Sequence, residues 1–116
     1  MHKDYVRLIH MLDSTNAALS FIKGRSKKDL ESDRQLLSAV TRELEILGEA
    51  ANNISKDTQA QIREIPWRTL IGMRNRLIHA YFDINTNIIW TTLQEVLPHF
   101  KQTLEQAIRE FKCSQA

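Results

Sequence analysis

The stretch Arg74-Asn75-Arg76-Leu77-Ile78-His79-Ala80-Tyr81 places an arginine, a histidine and a tyrosine at offsets 0, 5 and 7, and each of the three can meet a phosphate. Histidine titrates near neutrality and can move a proton, arginine can hold a phosphate by two parallel hydrogen bonds, and asparagine can orient either partner or the substrate. Such a set can support phosphodiester chemistry without a metal. In RNA the adjacent 2′-hydroxyl is an internal nucleophile, so a protein need only manage protons and stabilise charge growing on the phosphoryl oxygens. Cleavage of that kind leaves a cyclic phosphate on one fragment. Spacing alone keeps plainer readings open: His79 as an ordinary surface or core histidine, Arg74 and Arg76 as solvated helix charges, and Arg76 as a simple phosphate contact. A helical interaction module, or a helical dimer that binds nucleic acid weakly through a basic face, would carry the same residues.

These residues must be presented by a helix. Five residues at ~100° each leave Arg74 and His79 about 140° apart on one ideal helix, whereas Asn75 and His79 are neighbours at i,i+4. A two-fold homodimer would relieve this if two copies of the helix faced each other, because both chains could then line one cleft. Leu70, Met73, Leu77 and Tyr81 share the apolar face, which suits a half-buried Tyr81 with its hydroxyl exposed.

The rest of the chain also reads as helix. Tyr5, Leu8, Ile9, Leu12, Leu19 and Ile22 recur at helical spacing up to Gly24, and Arg25, Lys27 and Lys28 read as a polar loop. Ser26 and Asp29 resemble a capping box, and the stripe from Leu36 to Ile54 predicts one helix running to about Ser55. A weaker pattern over 57–65 ends at Pro66, where the next helix should start. The stripe from Ile89 to Ile108 predicts a last helix over about 86–112 that Pro98 should kink or deprive of one backbone hydrogen bond, with the 83–87 segment supplying its cap. Gly48 and Gly72 lie inside helical patterns and suggest close helix–helix approach, and Trp67 and Trp90 read as packing anchors.

Composition agrees with one domain over 1–116, an all-α antiparallel bundle of four main helices plus a short one. The chain has 116 residues, 42% hydrophobic and 26% charged, with three glycines and two prolines, and β-branched residues never alternate as a strand requires. Its net charge of +2 is unevenly spread: six basic residues face two acidic ones in 1–28, two face six in 29–49, and four face one in 63–79. Any argument for nucleic acid therefore rests on the local block with Arg63, Arg68, Arg74 and Arg76. Glu43, Glu45 and Glu49 with Arg42 read as a solvated helix face with local ion pairs, and His2, His10 and His99 form no ligand pattern. No metal or cofactor is expected. One cysteine, Cys113, no apolar run near the ~20 residues of a membrane helix and no signal-peptide stretch predict a cytoplasmic protein with no membrane partner.

Taken with Ile65-Pro66-Trp67-Arg68, Gly72-Met73 and Phe82, the motif resembles the signature of HepT-like toxins of the HEPN superfamily of helical ribonucleases. Glu45-Ile46-Leu47-Gly48-Glu49-Ala50-Ala51 resembles that family's second helix, and Ile88-Ile89-Trp90 with Leu97-Pro98 its last, so the likeness spans nearly the whole chain. It implies a metal-independent endoribonuclease toxin active as a homodimer, with Arg74 and His79 catalytic and Asn75 the polar residue beside the arginine; Arg68 and Arg76, from the basic block, would contact RNA. Tyr81 would be the site at which a nucleotidyltransferase antitoxin of the MntA type attaches AMP, adding bulk and negative charge beside a polyanion's cleft. Ala80 stands where the family often has glycine, a small change.

Overall fold

Short polar side chains divide the chain into its helices. In the computed structural model, which describes residues 2–79 and 85–115 and the side chains of 3–79 and 85–111, these are α1 (His2–Phe21), α2 (Lys27–Ser32), α3 (Arg34–Asn53), α4 (Lys56–Gln61), α5 (Trp67–Ile78), α6 (Thr86–Thr91) and α7 (Leu97–Gln115). A π-helical segment, Thr92–Val96, joins the last two. No strand occurs among the described residues, and the architecture is the expected all-α HEPN-like bundle.

Ser26 and Asp29 form the reciprocal capping box that opens α2. The single helix expected up to Ser55 is instead broken at Asp33, which leaves helical space at φ −104°, ψ 98° and caps α3. Its carboxylate accepts from the Leu36 N–H at 3.1 Å and from the Arg25 guanidinium at 2.8 Å. These two donors, the guanidinium foremost, hold the Asp33 carboxyl below the usual carboxylate range. Lys27 and Lys28 accordingly sit in the first turn of α2 rather than in a loop, and Arg25 is tied back to that turn. At the other end, Asn85 caps α6 through Asn87 and Ile88 N–H groups. The expected disturbance at Pro98 takes the form of the π-helical segment: the Leu97 N–H reaches back five residues to Thr92, just before the proline that has no N–H to offer.

Helix α3 is the centre of the bundle, packed against α1 on one side and α5 on the other, while α1 also meets α7. Leu8, Met11, Leu44, Leu47, Leu70, Leu93, Leu97 and Leu104 are fully buried in the shared core. Tyr5 of α1 stacks on Phe111 of α7 with ring centroids 6.2 Å apart. Trp67 is the anchor its type suggested: buried, with its indole N–H donating to Gln59 and Ile62 carbonyls at 3.1 and 2.9 Å, it fixes the start of α5 to the end of α4. Trp90 is half-buried against the core. Gly72 departs from expectation, since a Cβ there would meet nothing within 4 Å.

A buried carboxylate pins the start of α1 to the α3–α4 junction. Asp4, 4% exposed, accepts from the Ser55 N–H at 3.1 Å and from the hydroxyls of Ser55 and Thr58 at 2.6 Å each. Burial pushes its pKa up, but these donors together outweigh burial and hold the carboxyl below its ordinary 3.8. The stability it supplies is therefore full above about pH 4 and is lost as pH falls through the lowered value. Asp4→Asn should cost about 2 kcal/mol in urea unfolding at pH 7. The difference from wild type should shrink below pH 4; a pH-independent difference would contradict the assignment.

Candidate functional site

Arg74 is positioned by the closest approach of two helices. At Gly48 of α3 a Cβ would overlap the Arg74 Cβ and lie 2.8 Å from the Leu70 carbonyl oxygen, so only glycine lets α5 come this near. The next residue, Glu49, then reaches Arg74 with one carboxylate oxygen at 2.5 Å. Its other oxygen accepts from the Asn53 amide at 3.2 Å, and Arg74 in turn donates to Asn75 Oδ1 at 2.8 Å. A chain of contacts, Asn53 to Glu49 to Arg74 to Asn75, thus crosses from α3 to α5. The Arg74 side chain is 25% exposed and that of Glu49 50%. A pair this open contributes at most about 1 kcal/mol to stability, so its main consequence is orientation of the guanidinium.

His79 lies just past α5, at φ −99°, ψ 3°, in the bridge region. It is exposed, and within the described residues its side chain makes no hydrogen bond or ion pair. Asn75, its i,i+4 neighbour, is engaged with Arg74 instead. No hydrogen bond joins Arg74 to His79 within this protomer, in keeping with their separation around one helix. Arg68 and Arg76 are exposed on α5. Tyr81 lies outside the described residues.

Arg74 opens onto a cleft of about 430 Å³ between α1, α3 and α5. Arg7 and His10 of α1 line it, with Arg42, Glu45 and Glu49 from α3 and an apolar floor of Ile46, Ala50 and Ile78. None of these polar residues was singled out as a site by sequence. A signal existed for Glu49, which follows the helix-interior Gly48, but the pairing with Arg74 spans 25 residues and needs the packing of α3 on α5 to be known. Among the described residues no three His, Cys, Asp or Glu side chains are grouped to hold a metal ion. Nor is any helix there long and apolar enough to cross a membrane.

The ribonuclease HepT-like family profile matches residues 11–107. The chain belongs to this family. It is 37% identical over 105 residues to a candidate ribonuclease HepT of Thermococcus cleftensis, covering 90% of this chain and 94% of that protein. A candidate RNase of Caldanaerobacter subterraneus subsp. tengcongensis is 34% identical with the same coverage. Another from Methanocaldococcus jannaschii is 34% identical over 98 residues, 84% of this chain and 90% of its own. No solved structure matches significantly. The HepT-like match includes both Gly48-Glu49 and the Arg74 to His79 stretch.

For this HepT-like chain, two neighbouring substitutions should separate packing from orientation. Gly48→Ala should cost about 2 kcal/mol or more, because backbone must shift to admit the methyl. Glu49→Gln should cost less than about 1 kcal/mol. Urea midpoints of the two variants measure this, and equal losses would contradict the account.

Proposed function

We propose that this HepT-like protein is a metal-independent endoribonuclease toxin that works as a homodimer. The observation that carries the reading is Arg74, held between Glu49 and Asn75 at the lip of a cleft, with an exposed His79, unengaged among the described residues, five residues on. Arg74 binds the scissile phosphate and stabilises the charge that grows on its oxygens. Asn75 orients Arg74. The RNA 2′-hydroxyl attacks phosphorus, the 5′-oxygen of the next nucleotide leaves, and a 2′,3′-cyclic phosphate remains. His79 transfers the protons, taking one from the nucleophile or giving one to the leaving oxygen.

The homodimer belongs to the chemistry. One chain supplies one His79, and Arg74 and His79 diverge around α5; two copies of α5 across a two-fold axis bring two imidazoles and two guanidiniums to one cleft. Arg68 and Arg76, exposed on the same helix, contact flanking phosphates. Control comes from a nucleotidyltransferase antitoxin: the Tyr81 hydroxyl attacks the α-phosphorus of ATP, pyrophosphate leaves, and the attached AMP places negative charge where RNA must enter. The family membership and the names of the relatives support RNA as substrate.

The test is cleavage of total RNA by purified protein free of AMP, with chelator present. His79→Ala should slow cutting by about 10²–10⁴-fold and Arg74→Ala by about 10²–10³-fold, with folding and dimer size unchanged. Cutting that His79→Ala leaves untouched would overturn the assignment.

A further inference from the structure

The cleft that receives Arg74 holds more basic side chains than a single scissile phosphate can use. Arg7 and His10 project from the same face of α1 at i,i+3, and within the described residues neither side chain makes a hydrogen bond or ion pair. Arg42, across the cleft on α3, has a side chain 71% exposed and only a 3.9 Å approach to Glu45. Glu49 is committed to Arg74 and Asn53 and so does little to neutralise the others. Arg42 stands seven residues before Glu49 on α3, about 10 Å along the helix axis. The Arg74 guanidinium is held at the Glu49 end of that span and Arg42 stands at the other. The apolar floor of Ile46, Ala50 and Ile78 gives ribose and base edges a surface between them.

We propose that Arg7, His10 and Arg42 form a second phosphate subsite, which grips the backbone of the same RNA strand one or more nucleotides away from the scissile bond. The strand then runs from Arg74 across α3 toward α1. This site takes its ligand class from the ribonuclease reading, but it is tested by binding and not by cutting. Arginine holds the phosphate by paired hydrogen bonds, and each contact releases condensed counterions from the RNA.

The experiment is fluorescence anisotropy of the full chain with a 2′-O-methyl RNA octamer, which lacks the free hydroxyl needed for self-cleavage, at several salt concentrations. Wild type should bind with a steep salt dependence. Arg7→Gln and Arg42→Gln should each weaken binding several-fold and flatten the slope of log affinity against log salt by about 0.7, and the double variant by about 1.4. Arg7→Lys should keep most of the slope. Lys28→Gln, the same charge change on the exposed α2, should leave it unchanged. No binding by wild type, an unchanged slope in the double variant, or a loss explained by altered oligomer size would overturn the subsite; the last result would assign the cleft to contact between copies. A protein that binds with these slopes yet never cuts RNA would refute the ribonuclease reading alone.

Discussion

The close approach of α3 and α5 at Gly48 is the constraint on which the site depends. Without a side chain at that position the α5 backbone comes within van der Waals reach of α3, with the Leu70 carbonyl and the Arg74 Cβ filling the space a methyl would need. Glu49 is thereby delivered to the Arg74 guanidinium, and Asn53 and Asn75 complete the line on either side. A flexible arginine otherwise loses much rotamer freedom on gripping a phosphate. Here part of that ordering is already done in the folded protein, by contacts too exposed to matter much for stability.

The remainder of the fold keeps α3 and α5 in register. Asp4 locks the start of α1 to Ser55 and Thr58, just beyond the end of α3. Trp67 ties the first residue of α5 to α4. Both interactions bury polar groups with partners, so each specifies a position as well as contributing energy. Both anchors meet at α4, and the cleft is lined by the three helices they help to hold, α1, α3 and α5.

Much of the helical plan was legible because apolar periodicity and capping chemistry are local. The Ser26–Asp29 box, the start of α5 after Pro66 and the anchoring role of Trp67 follow from side-chain type and neighbours. The break at Asp33 was not legible, because the apolar stripe starts only at Leu36 and does not mark where its helix begins; what decides it is an aspartate shared between Leu36 and Arg25, eight residues away. The two glycines read alike in sequence, yet Gly48 meets another helix and Gly72 meets nothing in this protomer. The residues of the Arg74 motif were visible as a local word. Glu49, Asn53, Arg7, His10 and Arg42 were not, because they join the site only through packing of α1 and α5 on α3.

The central claim is that this constellation uses the RNA's own 2′-hydroxyl as nucleophile. The direct measurement is mass spectrometry of the ends produced when the unmodified protein, in chelator, cuts a defined RNA and a matched strand carrying 2′-deoxyribose at the cut position. The account predicts a 2′,3′-cyclic phosphate facing a 5′-hydroxyl, and no cut in the substituted strand. Ends bearing 5′-phosphate and 3′-hydroxyl, or equal cutting of both strands, would contradict it.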